Sequence, residues 1–552
     1  MKIKIAYDNN GLVTIDRYLS DKGIKDIDEY LNPTNKYMEN PLAYDNMETA
    51  IGLFYEHMVK KTRTYILVDA DSDGFCSAAI LFMYMKQLDP KWDIRVGLHT
   101  SKQRGLQDDT LFRDIYQKDC GFVIIPDAGS NDREQVRELV KESGKSVIVL
   151  DHHEIDIPII DGILVNNQQG NVDKYGSGCA VTFMFIKALD KTFNLNYANR
   201  YVDLVGLSII SDSMNVTSQQ NRKYLHYGIL HSNRVVNPLL KELISISSIS
   251  EKSDYTTRDL AFNIVPCINS VCRCDDMGLK QEMFLAFVNS ERVDVSEIAK
   301  KMKSQHGKQQ RLIKDFIDDH MDYIESHNDK SIFIYTAKDI PRNYSGLIAM
   351  KICSMLDKPA IVMYDDGEQM LGSVRSNVPI REQFVNNPYV PLAKGHNMAF
   401  GIGILSEDYD KFLETLDTLV IPTENEIDVF QSWAIKSIPN KLYGLYEPYG
   451  ELWGYGLEEP TFHVYNINGT KNDIEIIGKN QNTLRIRCGN VTLIKFFCSE
   501  LDKERLMCYN KFSLEVVGNL NINEWNGKQY PQIVFDKYEI KPQTKKELSD
   551  LF

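Results

Sequence analysis

Three short apolar segments of this chain end in acidic residues, and these residues are the first candidates for chemistry. The segments are residues 65–68, 122–125 and 146–150. The side chains that follow them are Asp69, Asp71, Asp73, Asp127, Asp151, His152 and His153, and Asp212 follows a fourth, mostly apolar segment. Carboxylates that converge on one crevice repel one another unless cations neutralise them. The pattern therefore predicts a site for divalent cations.

The types of donor indicate which cations and which reaction. Carboxylate and imidazole groups without thiolates suit manganese or magnesium better than structural zinc. Two such ions about 3.5–4 Å apart can activate water and clamp both oxygens of an in-line phosphoryl displacement. A single aspartate such as Asp127 could instead cap a helix, but that explanation does not account for the whole set. We therefore expect two divalent ions, Mn²⁺ or alternatively Mg²⁺, and phosphodiester chemistry.

The elements that must position these acids alternate between strand and helix, which predicts an α/β fold. Between residues 60 and 215, short apolar runs alternate with helix-like segments such as residues 76–87 and 180–188. This alternation favours an open parallel sheet covered by helices on both faces. Ligands of such sheets bind beyond the carboxyl ends of the strands, where the acids lie.

Further regions follow this predicted catalytic domain. Residues 285–328 contain few helix-breaking residues and predict a long helical connector, whose basic run between Lys300 and Lys314 is either a solvated face or a guide for a polyanion. Strand and helix alternation from residue 331 predicts a second α/β domain, and short strands beyond residue 422 predict a small β-barrel or sandwich. The predicted domains are residues 1–225, 226–330, 331–421 and 428–552.

Composition narrows the functional class. At 552 residues the chain is too long for one core. The net charge of −14 argues mildly against a generic nucleic-acid binder, although an aspartate-rich metal site inflates the acidic count. The sequence has no apolar run of the roughly 20 residues that span a membrane and no signal-peptide pattern. We therefore expect a cytoplasmic monomer with reduced cysteines and no membrane partner.

At the clustered acids the chain resembles the DHH phosphoesterase superfamily and, within it, the RecJ-like single-strand exonucleases. Residues 69–74 resemble the first motif, D-x-D-x-D-G, and residues 127–130 resemble the second. Residues 151–153 are the Asp-His-His that names the superfamily. Residues 208–212 replace the Gly-Thr of the fourth motif with Ser-Ile but keep its aspartate.

The resemblance extends to segments outside the acids. Residues 266–273 resemble P-R-x-N-A-x-G-R, with Cys267 in place of the first arginine, and residues 372–376 resemble the G-S-x-R-S of the DHH-associated substrate domain. Residues 394–401 resemble its G-G-H-x-x-A-x-G, with Lys394 replacing the first glycine. An Asn-Gly turn within residues 523–536 resembles the last hairpin of an oligonucleotide-binding (OB) barrel. The implied architecture is a DHH catalytic domain, a helical connector, a DHH-associated domain and an OB-like β-barrel.

Individual roles follow from this resemblance. The expected ligands of one ion are Asp69, Asp71 and Asp127, and those of the other are Asp73, Asp127, His152 and Asp212, with Asp127 bridging. We expect His153 to contact the scissile phosphate or position a ligand, and Asp151 to orient the histidine pair. The expected substrate contacts are Arg273, Ser373, Arg375, Ser376, Gly395, His396 and Trp525. Lys102 and Arg104, basic residues on a predicted loop, are further candidates.

The resemblance implies a 5′-to-3′ exonuclease of single-stranded DNA that acts in DNA repair, recombination or replication. A single-strand-binding protein or a helicase is the expected protein partner. One alternative is a DHH phosphodiesterase of short oligoribonucleotides or cyclic dinucleotides, which would have no need for a strand-holding barrel. Another is a non-catalytic DNA-binding scaffold, which would have little reason to keep the complete set of acids and histidines.

Overall fold

The computed structural model describes residues 1–100, 105–327, 330–421, 426–478, 481–496, 498–525 and 528–543. The chain forms two compact units. The N-terminal unit comprises Leu19–Asp315 together with Glu451–Glu458. The C-terminal unit comprises Met1–Tyr18, Phe316–Gly450 and Glu459–Phe552.

The strands are numbered in chain order. They are β1 (Ile3–Ile5), β2 (Thr64–Val68), β3 (Ile94–Leu98), β4 (Phe122–Pro126), β5 (Ser146–Asp151), β6 (Ile163–Asn166), β7 (Phe333–Ala337), β8 (Ala360–Asp365), β9 (Gln369–Arg375), β10 (Leu392–His396), β11 (Ala399–Leu405), β12 (Ile427–Val429), β13 (Gln431–Ala434), β14 (Phe462–Thr470), β15 (Ile474–Ile477), β16 (Thr483–Cys488), β17 (Val491–Lys495), β18 (Lys511–Trp525) and β19 (Lys528–Pro542).

The α-helices are numbered in the same way. They are α1 (Ile15–Asp21), α2 (Ile27–Leu31), α3 (Met47–Lys60), α4 (Ser72–Leu88), α5 (Asp109–Gln117), α6 (Arg133–Arg137), α7 (Gly178–Phe193), α8 (Val202–Ser211), α9 (Gln219–Gly228), α10 (Pro238–Ser245), α11 (Thr257–Asn263), α12 (Val265–Cys272), α13 (Met277–Phe287), α14 (Val295–Asp319), α15 (Met321–Ser326), α16 (Ser345–Leu356), α17 (Arg381–Val385), α18 (Tyr409–Leu416) and α19 (Glu500–Met507). Among the described residues, every helix is too short or too polar to cross a membrane.

The N-terminal unit is built on a five-stranded parallel sheet, which confirms the predicted α/β class. Its strand order is β3-β2-β4-β5-β6. All residues of β2 and β4 are buried, as expected for parallel strands covered on both faces. The strand order reverses at β2, whose neighbours are β3 and β4. The carboxyl ends of β2 and β4 therefore flank the crevice where such folds bind ligands.

Helices pack on both faces of this sheet. On one face α4, which follows β2, packs on α7 and α8. On the other face, the apolar side chains of α6 and the following π-helical turn join those of the sheet, including Leu67, Ile125, Val136 and Leu139. This packing fixes the strand ends relative to the amino ends of α4 and α7.

The C-terminal unit contains a mixed sheet in the order β10-β11-β9-β8-β7. β7 and β8 run parallel, and the remaining neighbours pair antiparallel. Its core includes Ile361, Val374, Phe384, Phe400 and Phe412. The sheet and helices of residues 333–416 agree with the predicted second α/β region, although the exact domain boundaries stay a prediction.

A seven-stranded sheet also lies in the C-terminal unit, in the order β13-β14-β18-β19-β17-β16-β15. The long strands β18 and β19 pair antiparallel down to Trp525 opposite Lys528, which confirms the predicted hairpin. Its turn, residues 526–527, lies outside the described residues. Closure into a barrel stays a prediction. β1 pairs with β12, so the first residues of the chain join this unit.

Two local expectations differ from the structure. The continuous helix expected for residues 285–328 is divided into α13, α14 and α15, because Val288 and His320 end or interrupt the helical backbone. Two strands of the parallel sheet, β3 and β6, are absent from the prediction. β3 mixes Arg and Gly with its apolar residues, and β6 has four residues, so neither has a strong apolar run.

Candidate metal centre

The first group of acids lies in the turn that joins β2 to α4. Asp71 caps this helix, because its side chain accepts a hydrogen bond from the Gly74 N–H at 3.1 Å. A Cβ atom at Gly74 would lie 2.6 Å from the Cβ of Asp69, so glycine allows the helix to start this close to the strand end. Asp69 and Asp73 are buried, and Asp71 is half-buried. The turn thus supplies three closely spaced carboxylates.

Asp127 follows β4 in a left-handed backbone conformation, with φ of 63°. Non-glycine residues adopt this conformation uncommonly, and aspartate is among those that tolerate it best. Its N–H donates to the carbonyl of Leu150 on β5 at 2.8 Å. The amino end of α7 approaches so closely that a Cβ at Gly178 would lie 2.2 Å from Asp127 Oδ1. The strand and the helix together fix this carboxylate.

The amino end of α7 also holds Asp73. The backbone N–H groups of Gly178 and Cys179 each donate to an oxygen of Asp73 at 2.9 Å. Ser177 caps the helix by accepting from the Ala180 N–H at 3.2 Å. A helix amino end favours negative charge through its unpaired N–H groups. Asp73 is therefore oriented before any ion binds.

His152, which follows β5, brings the imidazole group to these acids. Its Nε2 atom lies 3.3 Å from Asp127 Oδ1 and 3.9 Å from Asp73 Oδ2. The same nitrogen lies 3.5 Å from Oδ2 of Asp212, the residue that ends α8. Asp212 is partly exposed, with 30% of its side-chain surface accessible, whereas Asp73 and Asp127 are buried. Residues from three strand ends and one helix end thus meet.

The potential ligand atoms fall into overlapping groups, in each of which all atoms lie within 4.8 Å of one another. The groups are Asp69, Asp71 and Asp127; Asp73, His152 and Asp212; and Asp127, Asp151, His152 and His153. Asp127 belongs to the first group and also lies against His152 of the second. This is the arrangement expected of a ligand shared by two ions. The assignment of each residue to one ion stays a prediction.

Burial and mutual repulsion make Asp73 and Asp127 hard to ionise without cations. Burial, together with the charges of Asp212 and Asp71, raises the pKa of Asp73 to about 8. Burial and the neighbouring acids also raise the pKa of Asp127 well above its usual range. Divalent cations would remove this cost by supplying the opposing charge. The donor set therefore fits ions that prefer oxygen and imidazole.

Asp151 has the opposite electrostatic environment. It is fully buried and accepts hydrogen bonds from the Ser130 N–H at 3.0 Å and from Nδ1 of His153 at 2.7 Å. Although burial alone would raise its pKa, the charge and hydrogen bond of His153 and the charge of His152 hold the pKa of Asp151 well below its usual range. Asp151 therefore acts as a fixed acceptor that orients the adjacent histidine.

Sequence reasoning missed His99, which follows β3. Its Nε2 lies 3.5 Å from Asp69 Oδ1, and its Nδ1 lies 3.3 Å from Oδ2 of Asp108. Its backbone carbonyl accepts a hydrogen bond from the buried Nζ of Lys280 at 3.0 Å. Burial lowers the pKa of the His99 imidazole, which favours the neutral form. In the sequence, a lone histidine after a weakly apolar strand is a poor indicator of a functional site. Only the fold shows that His99 lies beside Asp69.

Helix α12 links one predicted substrate residue to the centre. Oδ1 of Asn269 accepts hydrogen bonds from the N–H of Ser72 at 3.2 Å and from its hydroxyl at 2.9 Å. Arg273 ends the same helix and is half-buried. The segment that carries Arg273 is thus anchored to the turn of the first acids.

In the C-terminal unit, strand register places Arg375 and His396 at the same level of the sheet, on the two strands that flank β11. Ala399 on β11 pairs with Arg375 on β9 and with His396 on β10. A Cβ at Gly346 would lie 2.7 Å from Nη2 of Arg375, so this glycine leaves room for the guanidinium. We call Arg375, Ala399 and His396 the arginine patch. His396 is exposed and Arg375 is half-buried.

The other candidates beside the arginine patch have mainly structural contacts. Ser373 is buried with its hydroxyl 3.3 Å from that of Ser345. Ser376 donates its hydroxyl to the carbonyl of Val378 at 2.6 Å. Gly395 has φ of 136°, a conformation that requires glycine. These residues shape the strand ends around Arg375.

Three predicted substrate contacts are not tested by the structure. Lys102 and Arg104 lie outside the described residues. Trp525 ends β18, and its side chain also lies outside the described part of the chain. Their roles stay predictions.

Two models of known protein families match segments of the chain. A sequence model described as the DHH family, N-terminal domain, matches residues 63–209. A second, described as the RecJ OB domain, matches residues 441–537. The first match contains Asp69 and the Asp-His-His of residues 151–153, and the second spans most of the seven-stranded sheet.

Full-length relatives and solved structures extend the similarity. A Bacillus subtilis (strain 168) protein named as an SPbeta prophage-derived single-strand DNA-specific exonuclease, YorK, is 26% identical over 98% of this chain and 98% of its own length. The single-stranded-DNA-specific exonuclease RecJ of the same organism is 22% identical over 92% of this chain and 65% of its own length. The structure of RecJ from Thermus thermophilus in complex with Mn²⁺ superposes with a TM-score of 0.75 at 18% identity, covering 96% of this chain and 76% of that chain.

Proposed function

Since the chain is a RecJ-like member of the DHH superfamily, we propose that it removes nucleotides from single-stranded DNA in the 5′-to-3′ direction with two divalent ions. The observation that carries this proposal is the position of Asp127, which belongs to one group of ligand atoms and lies 3.3 Å from His152 of another. A relative that matches over 98% of both chains is named a single-strand DNA-specific exonuclease, as is a second relative that matches over 65% of its own length, and these names support the choice of substrate.

The donor set favours Mn²⁺, with Mg²⁺ as the alternative. Ions bound there would lower the pKa of water and neutralise charge on the phosphate. Asp73 and Asp127 must lose their protons to bind ions, and their raised pKa values make this loss depend on the ions themselves. A solved RecJ structure with Mn²⁺ and another with Mg²⁺ support this choice of metals.

The residues of the chain orient the reacting groups. The amino end of α7 holds Asp73, and the left-handed turn after β4 holds Asp127, so neither carboxylate must reorganise when substrate binds. Asp151 accepts from Nδ1 of His153 and thereby fixes the orientation of that ring beside the acids. His152 completes the group that includes Asp73 and Asp212.

Contacts outside the centre supply the preference for a single strand. Arg375 can hold a backbone phosphate through two parallel hydrogen bonds, and the neighbouring His396 is exposed for a second contact. The region that matches the RecJ OB domain provides exposed basic and aromatic side chains, including Arg487 and Phe496. Such domains bind single strands through a basic groove and stacked bases.

End-labelled oligonucleotides test the proposal. DNA and RNA strands, free or blocked at the 5′ or the 3′ end, are incubated with the full chain and Mn²⁺ and followed over time. We expect stepwise shortening of single-stranded DNA, inhibition by the 5′ block and little effect of the 3′ block. Inhibition by the 3′ block alone would reverse the polarity, and preference for the shortest RNA strands would favour an oligoribonucleotide phosphodiesterase.

Chelation tests the role of the ions on the same substrates. EDTA should abolish cleavage, and excess Mn²⁺ should restore it. A protein stripped of metal that still cleaves at the original rate would contradict the metal-dependent mechanism.

A further inference from the structure

A second group of metal-type donors lies in the N-terminal unit, formed by residues outside the DHH motifs. His226 lies in the last turn of α9, and His231 follows this helix. Glu451 comes from the segment Glu451–Glu458, whose sequence neighbours on both sides belong to the C-terminal unit. The three side chains place one nitrogen or oxygen each within 4.8 Å of the others.

The distances between the donor atoms of this group are close to those between the ligands of a single bound ion. Nδ1 of His226 lies 3.3 Å from Nε2 of His231 and 3.5 Å from Oε2 of Glu451. The same Glu451 oxygen lies 3.7 Å from Nε2 of His231. Tetrahedral zinc with bonds of about 2.0–2.1 Å separates its ligand atoms by about 3.3 Å. We propose that His226, His231 and Glu451 form a zinc-binding site.

Neighbouring residues prepare two of the three ligands. Oδ1 of Asp254 lies 2.7 Å from Nδ1 of His231 and accepts a hydrogen bond from it, which directs the lone pair of Nε2 toward the other two ligands. The buried Arg222 donates to Oε1 of Glu451, so Oε2 of the carboxylate faces the histidines. The carboxylate–histidine pair and the fixed glutamate are the supports that metal-ligating groups require.

The donor type separates this site from the acidic centre. Two imidazoles and one carboxylate suit zinc, whereas a carboxylate-rich set suits manganese or magnesium. Each of the three ligand side chains is about one quarter exposed, at 26%, 26% and 27%, so an ion and a completing water can reach them. The site does not depend on the nuclease activity proposed above.

A bound ion would fasten the segment Glu451–Glu458 to the helices of the N-terminal unit. The segment already contacts this unit through the backbone of Tyr455, whose carbonyl accepts from the Val216 N–H at 2.9 Å. The carbonyl of Trp453 also accepts a hydrogen bond from the hydroxyl of Thr257. Because residues 226 and 451 are distant in sequence, a shared ion would stabilise the folded state rather than the unfolded chain.

Zinc uptake by the full chain tests this site. The test uses the Asp127→Asn variant, in which metal binding at the acidic centre is weakened. The metal-free variant is dialysed against Zn²⁺, and its bound metal and unfolding temperature are measured. We expect the Asp127→Asn protein to bind one zinc ion per chain. Adding His231→Gln should weaken this zinc binding at least tenfold. In the same background His327→Gln, an exposed histidine of the C-terminal unit, should leave uptake unchanged.

A milder substitution keeps the test informative if His231→Gln does not fold. Asp254→Asn retains all three ligands and should weaken zinc binding about tenfold while the protein stays folded. Zinc should raise the unfolding temperature of the Asp127→Asn protein more than that of the double variant, which carries both Asp127→Asn and Asp254→Asn. Failure of the Asp127→Asn protein to take up zinc, or equal uptake by the protein with His231→Gln, would overturn the proposal.

Discussion

The acidic centre and the arginine patch present charge in opposite ways. At the centre, Asp73 and Asp127 are each 2% exposed and are held by backbone groups. At the patch, His396 is exposed and Arg375 is half-buried at the end of a strand. Buried like charges are unstable until ions arrive, whereas a half-buried guanidinium is already partly solvated. This difference supports the proposal that chemistry takes place at the centre and that the patch contributes to binding.

The largest expected effect follows from removing the shared ligand. Asp127→Asn should lower cleavage of single-stranded DNA about a thousandfold or more, because both groups of ligands lose a charge. Binding of the strand, measured by fluorescence anisotropy, should change little. Asp119→Asn, at a fully exposed acid of the same unit, is the matched control and should retain activity. Activity of the Asp127 variant within tenfold of the unaltered protein would remove the bridging role.

Metal binding at the centre should depend strongly on pH. The folded protein retains the Asp73 proton up to a pKa of about 8, above its ordinary value of 3.8. An ion that displaces this proton should bind about fiftyfold more tightly at pH 8 than at pH 6. Titration with Mn²⁺ at the two pH values measures this, and Asp73→Asn should flatten the dependence.

Asp73 should give the folding stability of the metal-free protein the opposite dependence on pH. Since the unfolded chain loses this proton near pH 4 and the folded chain keeps it to about pH 8, folding stability in EDTA should fall as pH rises between these values. Unfolding temperatures with EDTA and with Mn²⁺ should therefore diverge as pH rises. Parallel curves would show that Asp73 is not the titrating group.

A smaller effect is expected at the arginine patch. Arg375→Gln should raise KM for single-stranded DNA about tenfold and change kcat less, because a phosphate contact contributes mainly to binding. Arg375→Lys should recover part of this loss, since it keeps the charge but not the paired hydrogen bonds. Lys411→Gln, at an exposed residue of the same unit, serves as the control. A loss confined to kcat would place Arg375 in the chemical step instead.

The smallest effect is expected in the seven-stranded sheet. Phe496→Ala removes an aromatic side chain that is 48% exposed and should weaken binding of long strands about fivefold. Short oligonucleotides should be cleaved at nearly the original rate. Equal losses on long and short strands would argue against a strand-holding role. A point substitution is preferable to deletion from residue 428, because deletion would also remove Glu451–Glu458 from the N-terminal unit.

Much of the fold could be predicted because its signals are local. Apolar runs followed by acids mark β2, β4 and β5, and the Asn-Gly turn marks the hairpin of β18 and β19. The weakly apolar β3 and the short β6 gave no comparable signal, and His99 was missed with β3. The break at His320 was missed because a helix can end without glycine or proline.

The sequence alone determined the kinds of ligand at the centre, because the acids follow apolar strands or an apolar helix at positions that local patterns reveal. Only the tertiary structure decided which of them meet. Asp127 and Asp73 share the amino end of α7, and His152 reaches Asp212 from another element. The group of His226, His231 and Glu451 is likewise visible only in the fold. These contacts depend on packing between residues far apart in sequence, which no local pattern encodes.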